Sequence, residues 1–566
     1  MGKGISKVIN GLRFDNLRGD IFGGLTAAVV ALPLAMAFGV ASGAGPLAGM
    51  YGAIFVGLFA ALFGGTPSQI SGPTGPMTVV MAGILTRYVA YDPVAGPALA
   101  FTVVMMGGLI QVLFGAFRLG RYISLVPHPV ISGFMSGIGV IIILLQLGPL
   151  IGHEAPAKPL EAIRLLPGMF LDINMGVLVL GLLTLLIVYF LPSRMNRVVP
   201  APLLALVVGT LAMLAFFGRG HMAVIGDIPT SLPRPMAPVI NLSILPMMIK
   251  SALTLAVLGS IDSLLTSLVA DNVTRTRHDS DRELIGQGIG NMVAGMFGGL
   301  PGAGATMRTV VNVRAGGRTP ISGVLHAAVL LALVLGAGAL AKDIPHVVLA
   351  GILIKVGTDI IDWRFMRGLD KAPRTAVVLM FAVLFITVFV DLITSVAVGM
   401  VAASLILVNR MAKLQLESTK ALVGVDDESP LCEEAMTILK AAKGRILVYH
   451  LSGPLSFGAA KDMAYRLALH DGYDALVLDF SDVPSVDFTT CMAIEDMIRG
   501  ALAFRREVFI SGVRPGVRER LKKSGVLDLL AQERDVPRRL YALRQAASML
   551  GLKDVSGLPG VEGKEG

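Results

Sequence analysis

The chain has 566 residues, of which 54% are hydrophobic and only 15% charged. Soluble globular proteins average about 25% charged residues, so this composition excludes a disordered chain and argues against a purely soluble enzyme. The net charge of +9 does not point to nucleic acid, and no such partner is expected, because the bases sit in short loops between apolar runs. Cys432 and Cys491 are far apart and make neither a disulfide framework nor a metal cluster.

A helix needs about 20 apolar residues to cross about 30 Å of hydrocarbon. Apolar stretches recur at 21–40, 46–64, 69–88, 96–116, 127–150, 173–191, 199–217, 247–270, 284–299, 302–314, 319–340, 344–358, 373–390 and 392–410. The first follows basic residues but has no small-residue cleavage site, so it reads as a retained span and not a signal peptide. The stretch at 302–314 is too short to cross alone and reads as a half helix. Lysines and arginines concentrate in the loops on the N-terminal side, among them Arg118, Arg121, Arg194, Arg197, Arg275, Arg277, Arg364 and Arg367. Fewer lie opposite, such as Arg87, Lys158, Arg219 and Lys342. The positive-inside rule then predicts a cytoplasmic N-terminus. Fourteen spans, an even number, return the C-terminus to the cytoplasm, where two free thiols suit a reducing compartment. Compact loops suit a bacterial inner (plasma) membrane.

Two spans look broken. One opens Ser71-Gly-Pro-Thr-Gly-Pro-Met-Thr-Val-Val80, the other Pro301-Gly-Ala-Gly-Ala-Thr-Met-Arg-Thr-Val-Val311. They lie seven spans apart, and an odd spacing inverts one copy relative to the other. Interrupted segments at matching positions of two halves point to a transporter's binding site. A half helix that starts inside the membrane leaves unpaired N–H groups and partial positive charge at its N-terminus. Two such ends facing each other bind an anion without any lysine. The alternative is that these glycines only let helices pack closely.

Asp262 lies midway along the eighth stretch, where a carboxylate is costly and usually functional. Thr266, four residues on, shares its face. Carboxylate, hydroxyl and unwound carbonyls suit a hard cation or a proton; a purely structural carboxylate is the other reading. Arg308, two residues after Thr306, either adds positive charge beside an anion, pairs with Asp262, or snorkels to an interface. No Walker loop, HExxH or GxSxG motif occurs, and the histidines show no ligand spacing. The chain is expected to be neither an enzyme nor a cofactor carrier, and transport would run on an ion gradient or passively.

Beyond Arg410 charges recur every few residues. Ile446–Leu451, Ala475–Phe480 and Val508–Ser511 read as strands, and Gly458–His470, Thr489–Phe504 and Arg514–Ser524 as helices. This alternation predicts a small α/β domain.

Several motifs together resemble the SulP/SLC26 anion transporter family over nearly the whole chain. They are Asp20-Ile-Phe-Gly-Gly-Leu-Thr-Ala, Ala31-Leu-Pro33, Gly72-Pro-Thr-Gly75, Pro129-Val-Ile-Ser-Gly-Phe134, Ile225-Gly-Asp-Ile-Pro229 and Gly316-Gly-Arg-Thr-Pro320. Phe63–Met81 and Leu284–Met307 further resemble its sodium-dependent bicarbonate branch. The resemblance implies an α-helical polytopic membrane protein of 14 spans. These form a 7+7 inverted repeat with core and gate domains, followed by a C-terminal cytoplasmic α/β STAS domain, usually as a homodimer. The implied domains are an N-terminal segment 1–18, a transport domain 19–412 with repeats at about 19–220 and 245–412, a linker 413–440, STAS 441–550, and a flexible tail 551–566. By matching position, Thr74, Ala305 and Thr306 would meet the anion, while Asp262, Thr266, Gly304 and Thr306 would hold sodium. Many family members carry arginine beside the anion at the position of Arg308.

The resulting expectation is sodium-coupled bicarbonate uptake by alternating access. A proton-coupled symporter or exchanger of sulfate, chloride or dicarboxylates is the alternative, and an anion sensor signalling through STAS the third reading. In STAS relatives a phosphorylatable serine follows the aspartate matching Asp487. Phe488 stands there in this chain, with Thr489 and Thr490 next. A structural or dimerising role is preferred over phosphorylation switching.

Overall fold

The structure, a computed structural model, describes residues 14–552 except 124–125, 157, 193–194, 196–198, 219–221, 227–233, 391, 423–431 and 456. Most of the expected N-terminal segment, nearly all of the expected tail, Arg194, Arg197, Arg219 and the end of the Ile225–Pro229 motif fall outside the described residues. The chain forms two compact units, one through Val401 and one from Ala402.

Each apolar stretch holds one helix. In order these are α1 (Leu17–Ala41), α2 (Pro46–Phe63), α3 (Gly75–Tyr91), α4 (Gly96–Ala116), α5 (His128–Ile151), α6 (Met175–Phe190), α7 (Ala201–Phe216), α8 (Leu245–Thr274), α9 (Ser280–Met296), α10 (Thr306–Arg314), α11 (Pro320–Ala341), α12 (His346–Ile360), α13 (Arg374–Phe389) and α14 (Leu392–Ser418). Among the described residues, six are long and apolar enough to cross a membrane unaided: α1, α2, α4, α5, α8 and α14. Proline explains many of the starts. It occupies the first positions of α2, α3, α4, α5, α7, α8 and α11, where its missing N–H costs nothing and its fixed φ suits the helix.

Two bundles follow from the packing. α1 to α4 pack with α8 to α11, while α5, α6 and α7 pack with α12 and α13. Glycines let backbones touch at these crossings. A Cβ on Gly108 of α4 or on Gly288 of α9 would stand 2.5 Å from the other's carbonyl oxygen. A Cβ on Gly139 of α5 would stand 2.5 Å from the carbonyl of Gly357 in α12.

The stretch at 69–88 is not helical throughout. Its first part is extended and contributes β1 (Ser71–Gly72), which pairs antiparallel with β2 (Ala303–Gly304), Ser71 opposite Gly304. The helical part at 302–314 likewise begins only at Thr306. Both departures have one cause: Gly/Pro-rich chain cannot hold a helix before Gly75 or Thr306 and finds its backbone partners across the pair instead.

In the second unit, β3 (Lys420–Leu422), β4 (Ile446–Ser452), β5 (Ala475–Asp482), β6 (Glu507–Ser511) and β7 (Asp535–Val536) lie side by side in that order. β4 to β7 are parallel, and β3 joins β4 antiparallel. Side chains alternate between the two faces. Leu447, Tyr449, Leu476 and Leu478 enter one core, with α16 (Phe457–Ala468), α17 (Phe488–Ala503) and α18 (Pro515–Lys523). Ile446, Val448, Ala475 and Val477 enter the other, with α15 (Glu433–Ala442) and α19 (Arg539–Met549). Burial on both faces explains the near-continuous apolar runs. The stretch 413–440 expected as a linker contains the end of α14, β3 and most of α15. Ala412 and Leu416 are buried in one core and Leu422 in the other. These few apolar positions among charged neighbours are too sparse to show a period.

Candidate ion-binding site

The site is built where α3 and α10 begin. Thr74 and Ala305 are the capping residues, both in extended conformation, and neither gives a side-chain cap to its helix. The first N–H groups of each helix are therefore left for a ligand. The β1–β2 pair holds the two helix ends together, and the Ala305 N–H donates to Ile70 O at 2.9 Å. Gly72 has φ +152°, and a Cβ there would lie 2.8 Å from Arg308 Nη1. Glycine is thus required where the arginine crosses behind the strand.

α8 supplies the polar face opposite. Asp262 is 6% exposed, and its Oδ2 accepts from Thr74 Oγ1 at 2.7 Å. One turn later, Thr266 Oγ1 donates to Gly304 O at 2.9 Å and lies 2.8 Å from Thr306 Oγ1. Ser263 Oγ accepts from Gly304 N at 3.1 Å. The structure thus brings together Thr74 with Asp262, and Thr266 with Gly304 and Thr306. A carboxylate, two hydroxyls and a carbonyl are hard oxygen donors, the set that suits a hard cation. Among the described residues, no group of three or more His, Cys, Asp or Glu side chains is placed to hold a metal.

Arg308 is buried, 2% exposed. Its Nη2 donates to Pro73 O, and its Nη1 has no hydrogen-bond partner. Snorkelling is excluded by this burial. The guanidinium is within electrostatic reach of Asp262 without a hydrogen bond to it among the described residues.

A second tier of polar side chains holds the broken segments. Glu283 of α9 is 1% exposed. Its Oε2 accepts from the N–H groups of Gly65 and Thr66, each at 2.9 Å, and its Oε1 from Gln69 Nε2 and Gln287 Nε2, each at 2.8 Å. Asn291 clamps Gly302 by bonds to its carbonyl (2.9 Å) and from its N–H (2.7 Å). Buried Asp20 accepts from the N–H groups of Arg318 and Thr319 at the start of α11. Sequence reasoning missed Glu283, Ser263 and Asn291. Glu283 adjoins the apolar stretch at 284–299, and a span edge placed one residue further back would have marked it as a carboxylate inside the bundle.

In the second unit, Asp487 caps α17, accepting from Thr490 N at 2.8 Å and Phe457 N at 2.7 Å. Burial pushes its carboxyl up, but these bonds and Arg520 outweigh it and hold it below the usual carboxylate value. Thr490 is buried, whereas Thr489 is exposed.

Two inverted half helices meeting inside a helical bundle, opposite an intramembrane carboxylate, define a secondary transporter. The sulfate permease family model matches residues 17–383 and the STAS domain model residues 437–541. The bicarbonate transporter BicA of Synechocystis sp. is 46% identical over 546 residues, 96% of this chain and 97% of that protein. BicA of Picosynechococcus sp. is 45% identical, covering 95% and 96% respectively. The solved transmembrane domain of a cyanobacterial BicA is 51% identical with TM-score 0.65, covering 69% of this chain and 99% of that one. Murine Slc26a9 in the inward-facing state matches in fold, with TM-score 0.81 at 18% identity over 97% of this chain and 95% of that one. The chain belongs to the sulfate permease (SulP/SLC26) family of anion transporters and carries a C-terminal STAS domain.

Proposed function

We propose that this chain takes up bicarbonate together with sodium by alternating access. The observation that carries the reading is the shared use of side chains. Thr74 stands at the N-terminus of one half helix and bonds Asp262, while Thr306 starts the other and contacts Thr266. In this reading the anion rests between the N-termini of α3 and α10, on their free N–H groups with Thr74, Ala305 and Thr306. Sodium lies on Asp262, Thr266, Gly304 and Thr306. Its charge offsets the Asp262 carboxylate, which would otherwise repel an anion a few ångströms away. Each ion then favours the other, which is the condition for coupling. The first bundle acts as the core that carries the ions, and the second as the gate. The identity to two bicarbonate transporters supports this choice of anion.

The reading also places the chain as a homodimer in a cell's inner membrane with both termini cytoplasmic. The bias of lysine and arginine towards the loops on the N-terminal side supports that orientation.

The test is labelled bicarbonate uptake into proteoliposomes at fixed pH, with and without an inward sodium gradient and with excess sulfate as competitor. Sodium-dependent uptake that sulfate leaves unchanged is expected, and Asp262→Asn should abolish the sodium effect. Unaltered sodium dependence in that variant would sink the cation assignment. The burial of Arg308 with an unpaired Nη1 favours one second reading, a carrier of sulfate or another larger anion that draws on this charge. Flux without a sodium effect, blocked by sulfate, would favour it.

A further inference from the structure

Gly75 opens α3, and the room beside it is taken by two side chains of the second bundle. A Cβ on Gly75 would stand 2.7 Å from Ile360 Cδ1 and 2.8 Å from Ile142 Cδ1. Ile142 belongs to α5 and Ile360 ends α12. Their placement follows from the glycine crossing of those two helices. Ile142 lies three residues after Gly139 and Ile360 three after Gly357, the pair whose backbones touch. Residues three apart share a helix face, and helical side chains lean towards the N-terminus of their helix. Both isoleucines therefore lean back over the crossing, and their end methyl groups flank the first residue of the half helix. Ile142 is buried and Ile360 half-buried.

Neither side chain can form a hydrogen bond. An anion resting on the first N–H groups of α3 gives up water on this side and meets hydrocarbon in return. The cost of leaving water rises with the square of the charge, whereas attraction to the N–H groups and to Arg308 rises only in proportion to it. A dianion thus meets about four times the penalty of a monoanion of the same size for about twice the attraction. The buried carboxylates of Asp262 and Glu283 repel it in the same proportion.

We propose that Ile142 and Ile360 form an apolar lid over the α3 end of the site, which selects singly charged anions against dianions such as sulfate. This inference rests on the anion seat of the transport reading and adds the residues that set its selectivity.

The test uses full-length protein in detergent with sodium present, and reads equilibrium binding of bicarbonate and of sulfate by calorimetry. The parent should prefer bicarbonate. Ile360→Asn places hydrogen-bonding groups at the half-buried position and should narrow that preference about tenfold, by strengthening sulfate. Ile360→Ala widens the seat without adding a polar group and should leave the preference near the parent's. Ile142→Thr repeats the measurement from α5 should Ile360→Asn fail to fold. A parent that holds sulfate as tightly as bicarbonate overturns the proposal. So does a preference that the polar variants leave unmoved, or that Ile360→Ala narrows as much as they do. Labelled bicarbonate uptake by the same proteins separates the two ideas. A preference shifted by the polar variants without any uptake would refute the transport reading and leave the lid standing. Uptake with an unmoved preference would do the reverse.

Discussion

Thr266→Val tests the cation site most directly. The residue is fully buried, and its hydroxyl spans Gly304 O (2.9 Å) and Thr306 Oγ1 (2.8 Å). Valine keeps the branched shape and removes only the polar atom. A buried polar group stripped of its partner costs about 1–3 kcal/mol. If sodium draws on that oxygen, the loss falls on the sodium-bound state. At 1.4 kcal/mol per tenfold, half-saturation by sodium should rise about 5- to 150-fold. Bicarbonate uptake into proteoliposomes, titrated with sodium at fixed pH, measures this. Thr266→Ser restores the hydroxyl without the methyl and should return most of the affinity. Half-saturation within twofold of the parent in the valine variant, or equal losses in valine and serine, would refute the reasoning, because the hydroxyl would then not be a ligand.

Gly288→Ala drives a Cβ to 2.5 Å from the Gly108 carbonyl, and overpacking of this kind costs about 1–3 kcal/mol. Thermal unfolding in detergent should shift down, whereas Gly83→Ala, whose Cβ meets nothing within 4 Å, should hold or raise the midpoint. Buried Asp479 is pushed up by burial but lowered further by hydrogen bonds from His450 and Ser481 and by Arg539, so its carboxyl lies below the ordinary value. A depressed folded value means that its contribution is complete above about pH 4 and is lost as pH falls below that through the lowered value. Calorimetry of the full chain should show an acid destabilisation of the STAS transition that Asp479→Asn removes.

The two broken spans were legible because glycine and proline interrupt otherwise apolar runs in matching order. Asp262 and Thr266 were legible because a carboxylate in such a run is rare. What sequence could not show is who answers the unwound backbone. Glu283 meets Gly65 across 218 residues, and nothing local to either marks the pair. Arg308 was left with three readings. The structure removes one by burying it, and its bond to Pro73 O depends on a strand that no periodicity announces. The longer STAS strands were visible as short apolar runs, but β3 and β7, with 3 and 2 residues, are too short to carry a pattern.

The pairing of β1 with β2 also bears on how the protein is made. Chains emerge N-terminus first, so residues 65–75 enter the bilayer long before their partners exist. The N–H of Thr66 waits for an acceptor 217 residues later, and that of Ile70 for one 239 residues later. Each unsatisfied group costs several kcal/mol in hydrocarbon. The first half helix therefore has no stable resting place in lipid on its own, and must stay wet or sheltered by other protein until α9 and α10 have been synthesised. Biogenesis is thus tied to a late event, the arrival of the second repeat, and a ribosome stalled before it leaves a chain that is inserted but not yet folded.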